Sequence, residues 1–487
     1  MANSSSLNKG LLYTLALLYG LFTFFMYGTI AIWNGTFFRR PTEKQKLELL
    51  LAKDRLWNLS KQFEGFSHHF LTLRDGFKFH YVSNFEDEIP TAERPSSRST
   101  NKPLVIFMHG FPDSWAIWRH LLPSSMLWEK SNMVALDLPG YGGSDSLQKY
   151  GATEVMEHIT EFIIAMRQKS GIGNGGTDAK QAARVIIVGH DWGAVIGFRL
   201  ASEAPQLADR FILTNGPLLP LVKSNLSGAL NSSAKMFTTF FKNPFHSHSL
   251  IVKAFSALRP VFRQLLLSGY IFVFQLPMPM VRYTGSGGNY SFLKAVHRQA
   301  AGNVVEFTIR DAQESMASTL GPGPAECKTT TRDDDGTSYP PSVQQRIQLG
   351  NFGDTASYYR HGAAVGTWHK SLEIISALYK LGEPRRTSTG MALQEDPKGA
   401  LKANSTIVWG QLDTALDPRV MLEGIADYLV RGSQVVMLPR TAHFSPMERE
   451  GRKAIQRAVE WAVGGEGGDV GSAIGEVYPG AVVTVRK

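Results

Sequence analysis

A single cysteine, Cys327, occurs in 487 residues, so no intrachain disulfide can form and no thiolate cluster can hold a metal. Stability has to come from packing, and the want of disulfides fits a reducing compartment. Charge is also sparse, at 19% of residues. The net charge of +9 is spread along the chain without any nucleic-acid recognition signature, which excludes a nucleic-acid partner and leaves a basic surface near anionic lipid. No HExxH or CxxC spacing, phosphate loop or dinucleotide fingerprint is present, so neither a metal nor another cofactor is expected. Gly285-Ser286-Gly287-Gly288 has no strand before it and reads as a turn. What the chain does have is 43% hydrophobic residues, enough for one large catalytic domain with additions.

The longest uncharged stretch is residues 11–33, LLYTLALLYGLFTFFMYGTIAIW. As a helix of about 23 residues it reaches across a hydrocarbon layer of ~30 Å. Residues 1–40 are therefore expected to form a single-pass membrane anchor. A cleaved signal peptide is the other reading, opposed by the length of the run and the lack of a small-x-small site after it. Lys9 precedes the run while Arg39, Arg40, Lys44 and Lys46 follow it, which places the catalytic domain in the cytosol, with the endoplasmic reticulum as the expected membrane. The sequons at Asn58 and Asn225 would permit a lumenal placement instead. Residues 41–64 carry an amphipathic pattern, either a juxtamembrane helix or an ordinary surface helix.

From residue 65 the texture changes. Residues 70–83 read as a hairpin turning at Arg74-Asp75-Gly76. Short, wholly apolar runs follow at residues 104–108, 133–136, 185–188 and 211–213, as strands buried on both faces should look. Helical patterns at 153–168 and 194–203 separate them, giving the alternation of a doubly wound, mostly parallel sheet. The alternation stops at residue 217 and resumes with 405–409, 420–429, 434–438 and 452–463. The expected organisation is an α/β-hydrolase core in two parts, 65–217 and 395–463, interrupted by a helical lid at 218–394. Polar, Pro- and Gly-rich segments at 321–345 and 171–176 read as mobile loops, and 464–487 as a glycine-rich tail.

The chemistry-bearing segment is Gly189-His190-Asp191-Trp192-Gly193, between an apolar strand and an apolar helix. In a nucleophile elbow the central residue occupies a strained turn, so small residues must flank it two positions away on either side. Gly189 and Gly193 meet that demand, and Asp191 becomes the candidate nucleophile; an N-cap aspartate with incidental glycines is the bland alternative. His109-Gly110-Phe111-Pro112, after the strand at 104–108, supplies the loop that an oxyanion hole needs. Its donors would be the backbone N–H groups of Phe111 and Trp192. Chain order then calls for an acid and a histidine: Asp413, with Asp417 as rival, and His443. His109 and His190 are read as support residues, and Trp115 and Trp192 as substrate-binding side chains. A carboxylate nucleophile attacks saturated carbon and leaves an ester that water must hydrolyse.

The blocks HGFPDSW (109–115), DLPGYGGSD (137–145), GHDWG (189–193) and VWGQLD (408–413) resemble those of the α/β-hydrolase-fold epoxide hydrolases, across residues 66–463 when His443 is included. The resemblance implies an epoxide and water as co-substrates, with a vicinal diol as product; a small apolar epoxide, such as a lipid-derived one, is what partitioning into a membrane favours. It also implies two lid tyrosines as proton donors. Tyr270, in the segment YIFVFQLP, is similar to the first, and Tyr359, directly before Arg360, to the second; Tyr358 is a neighbouring candidate, and lid packing is the ordinary role of such residues. Two other readings remain open at this stage: a haloalkane or haloacid dehalogenase using the same aspartate, and a catalytically inactive membrane-tethered binding protein.

Overall fold

The apolar runs are strands because alternate residues serve two different cores. In β3 (Leu104–Met108), Leu104, Ile106 and Met108 face one apolar cluster while Val105 and Phe107 face the other. The period of two demands this division once both faces of a sheet are covered by helices. A computed structural model describes residues 2–85, 102–172, 183–300, 302, 307–332, 336–382 and 397–486. The remaining strands are β1 (Ser67–Thr72), β2 (Lys78–Ser83), β4 (Asn132–Leu136), β5 (Val185–His190), β6 (Arg210–Thr214), β7 (Ser405–Gly410), β8 (Gln434–Leu438) and β9 (Val482–Val485).

They form one nine-stranded sheet in the order β1-β2-β4-β3-β5-β6-β7-β8-β9. The run from β4 to β8 is parallel, and β1, β2 and β9 are antiparallel to their neighbours. The hairpin turns where expected, with Gly76 at φ 89°.

The helices are, in order, α1 (Ala2–Trp33), α2 (Glu43–Trp57), α3 (Ser125–Lys130), α4 (Ala152–Lys169) and α5 (Trp192–Glu203). The lid contributes α6 (Leu219–Lys242), α7 (His248–Leu267), α8 (Gly269–Val273), α9 (Met278–Ala300), α10 (Ile309–Leu320), α11 (Pro341–Leu349), α12 (Phe352–Arg360) and α13 (Leu372–Lys380). After the lid come α14 (Pro418–Leu422), α15 (Arg449–Val463) and α16 (Val470–Val477). All eight lid helices lie between β6 and β7, and α9 is kinked at its glycine cluster, where Gly288, Asn289 and Tyr290 take positive φ.

Three expectations from composition need revising. Residues 321–345, read as a mobile loop, are anchored to the domain at several described positions: Gly321, Pro322 and Gly323 are buried and the Tyr339 hydroxyl donates to the carbonyl of Trp57. Polar composition misleads here because the segment's polar groups are satisfied internally, as in the bond from Gly323 N to Glu326. Residues 464–487 are no plain tail either, since α16 packs on α15 and β9 extends the sheet beyond β8. Finally, α2 is a docked helix: Ala52, Leu56 and Trp57 are buried and the Trp57 indole donates to the carbonyl of Ala317 on α10 at 2.9 Å. The loop at 171–176 falls largely outside the described residues, as does the expected lid boundary at 394/395.

The apolar stretch Gly10–Trp33 within α1 is long and apolar enough to cross a membrane, yet it does not project from the domain. One of its faces lies against α8 and α9. A Cβ added to Gly20 would meet the carbonyl oxygen of Phe272 at 2.4 Å, and Tyr19 donates its hydroxyl proton to the carbonyl of Leu265 at 3.1 Å. Its other face leaves Leu11, Leu15, Leu18, Phe22 and Phe25 exposed.

Candidate active site

β5 ends and α5 begins at Asp191, whose backbone is held at φ 51° and ψ −113°. A side-chain-bearing residue takes such a conformation only where its surroundings enforce it. Space explains the flanking glycines: a Cβ on Gly189 would sit 2.4 Å from the carbonyl oxygen of Gly193, and one on Gly193 would sit 2.2 Å from that of Met108. Gly193→Ala should therefore destabilise the fold by about 1–3 kcal/mol through overpacking, read from the midpoint of urea unfolding.

The elbow lifts the Asp191 carboxylate to the carboxyl edge of the sheet. Phe111 donates its backbone N–H to Oδ1 of Asp191 at 2.7 Å. Oδ1 also lies on the side of the first peptide of α5, because a Cβ on Gly110 would be 2.3 Å from Oδ1 and 2.7 Å from the backbone nitrogen of Trp192. The second oxygen, Oδ2, stands 3.7 Å from Nε2 of His443. Behind the imidazole, Nδ1 donates to Oδ2 of Asp413 at 2.9 Å. Asp413 is in turn held by the backbone N–H groups of Ala415 and Leu416 and by the amide of Asn215 at 2.8 Å.

Asp417, the rival acid, points elsewhere. It caps α14 and pairs with Arg263 and Arg419. Asp413→Asn should lower turnover on the order of 10³–10⁴-fold by disturbing the imidazole's tautomer and orientation, whereas Asp417→Asn should act on stability; steady-state rates beside unfolding midpoints separate the two.

Electrostatics organise this row. Burial opposes a charge on His443, but Asp413 and Asp191 overcome it and carry its pKa up to about 10. Burial likewise opposes ionisation of Asp191, yet the hydrogen bond and charge of His443 and the Phe111 N–H hold its carboxyl below the usual range. The resting pair is carboxylate and imidazolium. His190 stays neutral: burial, then the charge of His443, pulls it down to about 4. Its Nε2–H donates to the carbonyl of His443 at 2.9 Å, and His109 accepts from the N–H of Leu138, so both act as supports.

Above Asp191 lies a cavity of about 820 Å³ lined by Asp191, His443, Phe111, Tyr270 and Tyr359. The two tyrosines come from α8 and α12, and Arg360 explains their register. Its guanidinium donates to the carbonyls of Phe274 and Leu276, while the amide of Gln275 donates back to the carbonyl of Tyr359 at 3.1 Å. Both phenols have their pKa raised, first by burial and also by the negative charge of Asp191. Tyr358 turns away and donates to the carbonyl of Pro139.

The two tryptophans assigned to substrate are not in the cavity wall. Trp115 is wholly buried on the opposite side of the sheet, its ring against Trp57, Phe63 and His68. Its backbone N–H binds Asp137, so its place in the HGFPDSW block serves packing. The ring of Trp192 lies edge-on beneath Tyr359, centroids 4.9 Å apart, and supports that phenol. Among the described residues, His120, Asp311 and Glu314 could share a cation by distance. Glu314, however, is already engaged by Arg55, Arg119 and Arg310.

Residues 103–450 match the family model described as alpha/beta hydrolase fold. The chain belongs to the α/β-hydrolase-fold family. Among curated relatives, this chain is similar to "Epoxide hydrolase 3" of Mus musculus, at 29% identity over 167 residues covering 32% of this chain and 38% of that protein. It is also similar to "Epoxide hydrolase 4" of Mus musculus, at 27% identity over 234 residues covering 43% and 56% respectively. The matched segments thus span between about two-fifths and just over half of those relatives. The crystal structure of the Cif epoxide hydrolase from Acinetobacter nosocomialis superposes with a TM-score of 0.50 at 16% identity, covering 88% of this chain and 97% of that one.

Two buried acids escaped the reading of the sequence. Asp113 is pushed up to about 6 by burial, against the pull of Arg119 and a hydrogen bond from Ser318. Glu448 is pushed up to about 7 by burial, and accepts the Ala442 N–H next to His443 on both oxygens. Asp113 lies inside the HGFPDSW block and could have been singled out there. Glu448 and Asn215 carry no motif, and only the fold brings them to the triad.

Proposed function

We propose that this hydrolase converts epoxides to vicinal diols through an ester on Asp191, with Asp191, His443 and Asp413 as the triad. The observation that carries the reading is the meeting of two phenols, Tyr270 and Tyr359, with the Asp191 carboxylate and the His443 imidazole around one cavity. Oδ2 of Asp191 attacks an epoxide carbon and the ring C–O bond breaks. The oxygen released takes a proton from a tyrosine, which remains protonated at neutral pH because its pKa is raised.

The ester then loses to water. His443 removes a proton from a water molecule, whose oxygen bonds to the carboxyl carbon of Asp191, and the negative charge that develops on Oδ1 falls on the N–H groups of Phe111 and Trp192. Collapse breaks the ester bond, the imidazolium protonates the second diol oxygen, and the proton left on the carboxyl returns to the tyrosinate by way of solvent. Water is the sole co-substrate and the scheme calls on no cofactor. The names of the curated relatives agree with this reading. A dehalogenase is disfavoured because Phe111 offers a departing halide no side-chain donor and the Trp192 ring is covered by Tyr359.

The test is a single turnover with styrene oxide in heavy-oxygen water. Label should enter Asp191 and reach the diol only in later turnovers; label appearing directly in the first diol sinks the ester. In the same proposal α1 holds the enzyme to the endoplasmic reticulum membrane with the catalytic domain in the cytosol, supported by the apolar stretch Gly10–Trp33 and the cations after it. The full chain should then stay with microsomes through an alkaline carbonate wash and remain open to protease from the cytosolic side.

A further inference from the structure

The catalytic cavity does not end at the lid. Its lining also includes Phe24 and Tyr27 of α1, Tyr283 and Phe292 of α9, the half-buried Lys294, and the exposed Arg39 and Arg40, which bring this part of the cavity to the surface. The membrane helix is thus one wall of the same space that holds Asp191.

The mouth is chemically one-sided. Residues 10–42 contain no Asp or Glu, and neither does α9. Among the described residues, the side chains of Arg39, Arg40 and Lys294 make no ion pair or hydrogen bond. Lys294 has its pKa lowered by burial and then by the charge of Arg39, the mark of like charges crowded together with water partly removed. Like charges in that setting are unfavourable unless an anion comes between them. Lys294 is half-buried and Arg39 exposed, and both line the cavity.

We infer that Arg39 and Lys294 form a subsite for the anionic head group of an amphiphilic epoxide, whose apolar chain lies between α1 and α9 and whose ring reaches Asp191. This deepens the hydrolase reading and rests on it. The volume, about 820 Å³, is in the range of small-molecule sites, roughly 300–1,000 Å³. The aromatic walls suit a hydrocarbon chain. The outer face of α1 and the neighbouring α7 leave Phe22, Phe25, Phe262 and Leu266 exposed, which gives such a molecule an apolar approach from the bilayer.

The experiment uses the full chain in neutral dodecyl maltoside micelles and two arms. In the first, octadecanoate and methyl octadecanoate are titrated calorimetrically. The acid should bind at least about tenfold more tightly, as expected for a charge-assisted contact, and Arg39→Ala/Lys294→Ala should remove the difference, while Lys294→Arg should retain it. In the second, cis-9,10-epoxyoctadecanoate should exceed its methyl ester in kcat/KM by a similar factor, lost in the double variant. Equal binding of acid and ester by the unaltered chain, or a preference that survives the double substitution, overturns the subsite.

The two readings fail differently. Diol formed from acid and ester alike leaves the hydrolase standing and removes the subsite, whereas selective octadecanoate binding without any diol keeps the subsite and removes the hydrolase. If the cations instead serve the bilayer surface, the double variant weakens attachment to phosphatidylserine vesicles and leaves octadecanoate affinity alone, which also overturns the subsite.

Discussion

His443→Gln should stop turnover after ring opening and leave the substrate bound to Asp191 as an ester, visible as one added substrate mass on the intact protein. Steady-state turnover should fall by at least about 10⁴-fold, the scale seen when a member of a catalytic triad is removed. The reason lies in the division of labour around Asp191. In the proposed scheme opening uses the carboxylate and the phenols, and hydrolysis uses the imidazole 3.7 Å away as base. A variant that loses both steps together would remove the assignment of His443 to the second.

The charges predict a pH signature as well. In the resting state Asp191 and Asp413 hold the imidazole protonated, with its pKa up to about 10, which is the wrong form for a base. Esterification removes the negative charge of Asp191. At an effective dielectric of ~20, a charge about 4 Å away is worth on the order of 4 kcal/mol, so its loss lowers the imidazole's pKa and frees the proton. In the proposed scheme ring opening would thereby arm the base for the next step. Asp191→Asn, neutral like the ester, should show His443 titrating at lower pH than in the unaltered chain, followed by NMR of ring-labelled histidine. An unchanged titration would break the link between the two steps.

The second large effect belongs to the lid. Tyr359→Phe should slow ester formation about 10²-fold, and Tyr270→Phe/Tyr359→Phe by about 10³–10⁴-fold, in keeping with general-acid contributions. Rapid-quench measurement of the ester isolates this step from hydrolysis. Phenylalanine keeps the ring contacts with Phe111, so the lid stays packed and only the proton is lost. Because burial and Asp191 raise both phenols, opening should hold its rate up to about pH 10, where an ordinary tyrosine ionises. A falling limb well below that pH would show that the phenols are not as sheltered as their surroundings indicate.

The parallel strands were legible because strands buried on both faces must be largely apolar, as β3 and the first four residues of β5 are. The elbow was legible because its geometry tolerates only glycine at two fixed positions, and Asp413 and His443 because chain order restricts where they can fall. Trp115 was misread for an instructive reason: what it gives the HGFPDSW block is a backbone N–H for the buried Asp137, while its ring packs on the far side of the sheet. The role of Arg360 as the clamp between Tyr270 and Tyr359 was hidden, since its partners are carbonyls, which every residue has. The same holds for β9, whose four residues become a strand only because β8 offers them an edge. The α1 helix shows the limit most clearly. Its composition announces hydrocarbon, but nothing in an apolar run tells which side rests on lipid and which on protein, and Gly20 and Thr23 look like any small residues until Phe272 and Gly269 are set against them.

That docking bears on how such an enzyme can be rebuilt. An address label that merely tethers can be exchanged for another, and the cargo travels unchanged to a new destination. Here the label is also masonry, because the strip of α1 that touches the lid encloses the reaction chamber. Grafting a foreign helix onto residue 41 onward would take away one wall of the cavity along with α1, so that a change of anchor is at the same time a change of cavity.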